Sequence, residues 1–447
     1  MSNERTPPEL SSRAPRAHGM RRARGTLLAA AAVGVLTAVS FASSAQPPAK
    51  SAGAPLVFDT YAPDACSPNG QRQGQCPPGA LVRVQLVPVA EGLSGPRHMA
   101  FLPNGDVLIA ELTGRVRSVR NGALAAAPIG GWPVPGLEVA SLQSVLVHPQ
   151  FERNRFVYLY YVKRSADGWT TTALARGRLQ DAALADVEEL FVADGWISGG
   201  PIAGRAAFGP DGMIYLTLND HDPHFSTNDT SVRMLVQQLD SDVGKVMRVR
   251  DDGGIPADNP FVDRRDANPQ VFTIGHRNVT GLAWHPSTGE LWATEIGPMG
   301  GDELNVLRAG NNYGWPHVSL GKLYNQTDVS EQRWWRPGME MPVMHWTPSI
   351  SPSSVTFYSG NRIPEWRGHV FIGALNGQML QRVAFDQPAP QGERREALFM
   401  PLGRRFRHVV EGPDGYLYVL TEQRTLGAAD ASGDATSGVL YRIEPAA

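Results

Sequence analysis

The residues of this 447-residue chain whose types and spacing could do chemistry crowd into one stretch. It runs from Val271 to Pro316, VFTIGHRNVTGLAWHPSTGELWATEIGPMGGDELNVLRAGNNYGWP. The stretch holds an Arg277-Asn278 pair, a Gly297-Pro298 turn, an Asp302-Glu303 pair and a Gly314-Trp315-Pro316 corner. Charged and polar groups at the two mouths of a short strand fit a site built on loops held by a rigid sheet. A second pair, Arg405 and Arg407, sits two apart in an apolar run, so on a strand both would point to one face. Alone, an Arg-x-Arg reads as a solvated surface pair. His221 and His224 in NDHDPHF could reach such a site, but two histidines lack the remaining ligands of a metal centre.

The elements that must hold these groups are strands. GELWATEI places Leu291, Ala293 and Glu295 on one face and Trp292, Thr294 and Ile296 on the other. An apolar pair, a Pro-Asn/Asp-Gly type turn and an apolar strand recur six times. The copies start at Met99, Leu146, Ala206, Leu282, Val355 and Val409. Proline fixes φ in such a turn and glycine accepts a positive φ. Spacings from the mid-forties to the mid-seventies suit four-stranded blades with variable loops. With no sustained helical periodicity, and only short stretches such as Thr230–Leu239 able to be helical, the expectation is an all-β, six-bladed β-propeller over residues 80–447. Ala80–Leu93 and Gly438–Ile443 are expected to complete one blade between them. A pair of β-sandwiches would not explain one turn signature in six places.

The first residues read differently. Arg13, Arg16, Arg21, Arg22 and Arg24 precede an apolar run from Thr26 to Phe41, followed by small residues, which reads as an export signal over residues 1–45. A retained membrane anchor is the alternative, though sixteen Ala-rich residues are short for a span. Without that segment the chain carries 35 basic against 41 acidic residues, with no basic footprint for nucleic acid. Residues 46–79 are expected to be a linker and a loop, CSPNGQRQGQC, in which Cys66 and Cys76 form a disulfide in an oxidising compartment. A metal site there would need more ligands than the loop supplies.

The order of GHRN (Gly275–Asn278), EIGPMGGDELN (Glu295–Asn305), NNYGWP (Asn311–Pro316), RFRHV (Arg405–Val409) and GPDGYLYVLTE (Gly412–Glu422) resembles the soluble glucose/sorbosone dehydrogenases. The resemblance spans about Val84 to Ile443. It implies an exported propeller that uses pyrroloquinoline quinone (PQQ) and calcium to oxidise a sugar or alcohol and passes the electrons to a separate acceptor. The quinone carries three carboxylates, and arginine pairs a carboxylate bidentately. The resemblance puts Arg277, Asn278, Arg405 and Arg407 in the cofactor pocket and Asp302 beside it. It puts Gly297 and Pro298 on the cofactor's calcium through their carbonyls, as suits a hard cation. Glu303 and the backbone of Tyr313 match a second, structural calcium site, and Trp346 falls where an aromatic lies near the sugar.

Four positions depart from the pattern. The family's general base is a histidine, and its position here is Pro201, which cannot accept a proton. A substrate glutamine lies in a segment that reads Val139–Gln143, a quinone-binding lysine is Asn376, and a Gln or His before Gly-Pro is Ile296. Losing a positioned base costs roughly 10²–10⁴ in rate. Two readings follow: a PQQ-dependent dehydrogenase with a rearranged substrate side, or a propeller that binds without turning over. The loops Val134–Gln143 and Asp220–Thr230 are the least like the family.

Overall fold

The computed structural model describes residues 53–61, 81–198, 203–222, 232–330, 333–386, 391–423 and 436–447. The leader, Cys66, Cys76, Pro201 and His224 lie outside the described residues. Among the described residues no helix is long and apolar enough to cross a membrane.

Six antiparallel sheets form the blades, five of four strands and one of five. The strands Pro96–Phe101, Val139–Val147, Ala206–Phe208, Val279–Trp284, Pro352–Phe357 and Arg405–Glu411 each open a blade. Each packs against the next, and the last returns to the first, closing a ring. Together they line an axial cavity of about 570 Å3. The expected six-bladed β-propeller is therefore the fold, and its cores lie between neighbouring blades. Leu108 and Ala110 meet Leu142 and Tyr161 at one seam, and Phe371 meets Phe406 and Val419 at another. Among the described residues helix is confined to segments of three to five residues, one of them Arg233–Gln237.

The repeated turns behave as their residues require. Gly212 and Gly415 both have φ of 77°, where a side chain would be strained. In both turns the aspartate also takes a tyrosine hydroxyl from the strand that follows. Tyr215 donates to Asp211 at 3.0 Å and Tyr418 to Asp414 at 2.9 Å.

The five-stranded blade joins the earliest and the latest of the described strands. Gly438–Pro445 lies between Leu81–Leu93 and Leu417–Glu422, as the sequence pattern suggested. The part of the expected linker from Leu56 to Tyr61 differs from expectation, since it is a strand on the outer edge of this blade. It is held by an Asp59–Arg83 ion pair at 2.9 Å, by Thr60 Oγ1 donating to Val82 O at 2.6 Å, and by Phe58 against Phe399. The short alternation of LVFDTY was masked by the Pro- and Ser-rich residues around it.

Candidate cofactor and metal site

The entrances of the innermost strands gather at one end of the propeller. Because neighbouring strands are antiparallel, the ends of the second strands return to the same face. Arg277, Glu295, Gly297, Asp302, Asn376, Arg405 and Glu422 thus share it.

Five innermost strands carry a β-bulge in their first residues, leaving Arg97, Ala140, Thr280, Ser353 and Arg407 as the extra residue. A bulge breaks the hydrogen-bond ladder locally and re-aims a side chain. Three of the carbonyls so displaced converge on one guanidinium. Arg205, 8% exposed, donates through Nε to Thr280 O at 2.9 Å, through Nη1 to Arg97 O at 3.1 Å and through Nη2 to Ser353 O at 2.7 Å. Burial, then the neighbouring Arg407 charge, lowers Arg205 to about 9. One side chain therefore ties four blades across the axis.

The bulge also corrects the simple alternation expected for Arg405 and Arg407. Arg407 is the unpaired residue of its strand, yet both guanidiniums reach one carboxylate. Arg405 Nη1 is 3.7 Å from Glu422 Oε1, and the buried Arg407 donates to the same oxygen through Nε at 2.7 Å and through Nη2. Anions are favoured beside this cluster, with Glu422 as the internal competitor.

Acidic residues closing the second strand hold the strand entrances in three blades. Glu111 accepts from Ser94 N at 2.7 Å, and Glu422 holds the arginines. Glu295 accepts from His276 Nδ1 at 3.0 Å, from Asn278 N at 3.3 Å and from Arg277 N. Directly across the ladder from Glu295 lies Glu303. Burial, then the Glu295 charge, pushes Glu303 up to about 8. Both carboxylates line a cavity of about 10 Å3 with Arg277, Gly297, Pro298 and Tyr313, room for one water-sized occupant. Two facing carboxylates and nearby carbonyls suit a hard cation. Arg277 Nη1 donates to Ile296 O at 2.9 Å and Gly297 O at 2.8 Å, so a cation on those carbonyls would displace it. Asn278 Oδ1 is buried without a partner among the described residues.

Other residues singled out in the sequence have structural partners. The buried Asp302 carboxylate accepts from Gly297 N at 3.0 Å, Ile350 N at 2.8 Å, Ser351 N at 2.9 Å and Ser349 Oγ. It staples the Gly297-Pro298 turn to the next blade, with both oxygens taken up by these donors. Trp346 is a core residue, donating from Nε1 to Gln381 Oε1 at 3.0 Å. His276 stacks on Tyr313 and bonds Thr273 and Glu295. Asn376 is exposed, and Ile296 lines the small cavity. The sequence reading missed the roles of Glu295 and Glu422. Their common signal was an acidic residue ending the apolar strand after the turn.

The chain matches the glucose/sorbosone dehydrogenase family over residues 93–428. It is 33% identical over 374 residues to the aldose sugar dehydrogenase YliI of Escherichia coli, covering 82% of this chain and 94% of that protein. The crystal structure of the soluble E. coli aldose sugar dehydrogenase in its apo form superposes with a TM-score of 0.72 at 31% identity, over 81% of this chain and all of that one. The PQQ-bound aldose sugar dehydrogenase of Streptomyces coelicolor superposes with a TM-score of 0.62 at 26% identity, over 81% and 97%. The chain therefore belongs to the glucose/sorbosone dehydrogenase family, as its motif order indicated.

Proposed function

We propose that this protein is an exported oxidoreductase that oxidises an aldose-type sugar by hydride transfer to PQQ. The observation that best supports the reading is the convergence, on one face, of the arginine cluster and the Glu295–Glu303 cavity, both built from the family's motifs. PQQ, when bound, supplies the two-electron acceptor. Arg405 and Arg407 are the residues to hold its carboxylates, with Arg277 and Asn278 beside them. Calcium suits Glu303 and Glu295 together with the backbone of Gly297, Pro298 and Tyr313. The electrons then leave to a separate acceptor.

Pro201 cannot take the sugar's proton, and we assign that role to Asp220. This buried carboxylate follows the second strand of its blade, and its amide donates to Arg277 O at 2.7 Å. Burial pushes it up to about 6, which poises it as a base near neutral pH.

The test is a titration of the purified protein with PQQ, with and without calcium, followed by absorbance and thermal shift. Glucose and a dye acceptor are then added. Saturable, calcium-dependent binding and sugar-dependent dye reduction would bear the reading out; no binding at micromolar PQQ would sink it. Asp220→Asn should keep PQQ affinity and lose roughly 10²–10⁴ in kcat. An unchanged kcat would remove Asp220 from that role.

A further inference from the structure

The axial cavity opens away from the cofactor face, since the turns that follow the innermost strands, at Pro286, Gly412 and Pro413, line its mouth. Its volume of about 570 Å3 lies within the range of roughly 300–1,000 Å3 for small-molecule sites. Phe101, Phe208, Trp284 and Phe357 bring aromatic walls from four blades. Two imidazoles, His98 and His408, break the apolar lining, each 8% exposed and stacked with ring centroids 4.0 Å apart. Met99 N donates to His408 Nδ1 at 3.3 Å, which leaves the ring proton on Nε2. Beyond a weak contact of its ring with the Val145 backbone, His98 presents a buried Nδ1 with no hydrogen-bond partner among the described residues. Both rings lie just behind the cofactor face. His98 follows Arg97, whose carbonyl takes Arg205, and His408 follows Arg407 of the arginine cluster. Arg205 is the partition, its charge acting on Arg407 and on both imidazoles.

We propose that the axial cavity binds the electron acceptor, and that this acceptor is a small neutral para-quinone entering from the face opposite the sugar. The inference rests on the dehydrogenase reading. The sugar gives up two electrons and two protons and becomes the lactone. The quinone takes two electrons across the Arg205 partition and two protons from water at the cavity mouth, and leaves as the hydroquinone. Burial keeps both imidazoles neutral, so each ring offers one donor and one acceptor. His408 Nε2–H suits a quinone carbonyl, and the bare nitrogen of His98 suits a hydroquinone hydroxyl, so both ends of the redox couple are served. The aromatic walls stack on a flat ring. The fixed charge of Arg205 behind the imidazoles lowers the energy of electrons arriving on the quinone.

The same lining disfavours other ligand classes. A metal ion would find two imidazoles, short of its ligand count, with a positive charge behind them. An anion would find Arg205 already donating to three carbonyls and the Glu411 carboxylate at the cavity wall, held there by Ser359 N at 2.6 Å. A sugar would press its belt of hydroxyls against phenylalanine and tryptophan, where most would go unpaired. With the acceptor behind the partition, sugar and acceptor have separate entrances and do not compete for one site.

The probe is duroquinone, whose fully methylated ring does not alkylate protein. Titrated into the full protein without PQQ, it should bind saturably at one site, by calorimetry and by tryptophan quenching. Neither added PQQ nor excess glucose should displace it. Trp284→Phe should remove most of the quenching and keep the heat of binding. His408→Phe should weaken binding at least tenfold, and His408→Gln, which keeps a donor, should restore most of it. Ala207→Phe, which fills the cavity, should also weaken binding at least tenfold. In PQQ-loaded enzyme that variant should raise KM for duroquinone at least tenfold and leave KM for glucose unchanged. Displacement by PQQ, no saturable binding, or wild-type affinity in Ala207→Phe would overturn the proposal. Glucose-dependent dye reduction by a protein that binds no duroquinone would sink the axial site and spare the dehydrogenase. Duroquinone binding that Ala207→Phe abolishes, in a protein that ignores PQQ, would do the reverse.

Discussion

Raising the pH from about 6 to about 8 in a chelator should cost the wild type stability that Glu303→Gln keeps. Glu303 faces Glu295 across a buried ladder and is pushed up from 4.5 to about 8. In the folded state it holds its proton until about pH 8, whereas in the unfolded chain it releases it near ~4.3. Within that window the folded state binds more protons, so this group's contribution is full below the unfolded pKa and is lost as pH rises through the folded one. Each unit is worth about 1.4 kcal/mol, so two units amount to roughly 2–3 kcal/mol. Asp220, Asp242 and Lys245 titrate nearby, but they are present in both proteins and cancel in the difference. Glutamine keeps the oxygen that accepts from Asn305 Nδ2 at 3.0 Å, so the variant mimics the protonated acid. The assay is urea unfolding at several pH values, with EDTA or with calcium. In EDTA the variant should gain on the wild type as pH rises. Calcium, which needs the ionised acid, should rescue the wild type at pH 8 and not the variant. Parallel curves in EDTA would mean that Glu303 is already ionised at pH 6. Equal rescue of both proteins would put the ion elsewhere.

Glu422→Gln should destabilise the protein by about 3–5 kcal/mol, because it leaves the buried Arg407 and its neighbour Arg405 without their shared carboxylate. Chemical denaturation measures this, and a loss under ~1 kcal/mol would show the pair to be solvated. Asp302→Ala strands the Gly297 and Ile350 N–H donors at about 1–3 kcal/mol each and leaves Ser351 N only its longer bond to Ser349 Oγ at 3.1 Å. It should also speed hydrogen exchange at Gly297, Ile350 and Ser351, and unchanged exchange there would refute the staple. A chain ending before Gly438 should not reach the native fold, as read by near-ultraviolet circular dichroism.

The blades were legible because a turn of local chemistry recurs along the chain, in full Pro-Asp-Gly form at 210–212 and 413–415 and in looser form elsewhere. The Tyr215–Asp211 and Tyr418–Asp414 bonds extend that local code by one residue type. What the sequence hid was non-local. The bulges at Arg97, Thr280, Ser353 and Arg407 follow no residue signature. They form where six strands crowd round an axis, and their displaced carbonyls make sense only once Arg205 is seen to meet three of them. Arg405 and Arg407 were recognised through their motif, but Glu422, their partner, looked like the end of an apolar strand. His98 and His408 come from the first and the sixth blade, so no window of sequence could join them.

The place of Gly438–Pro445 also governs how the molecule comes into being. Among the described strands it is the last to be synthesised, yet it lies inside a sheet, between strands made at opposite ends of the chain. Until it emerges, the growing protein is an open arc with two unsatisfied edges rather than a wheel. Edges of that kind invite pairing with other chains. The cell thus handles a ring that stays open until this one strand emerges, and the strand acts as its latch.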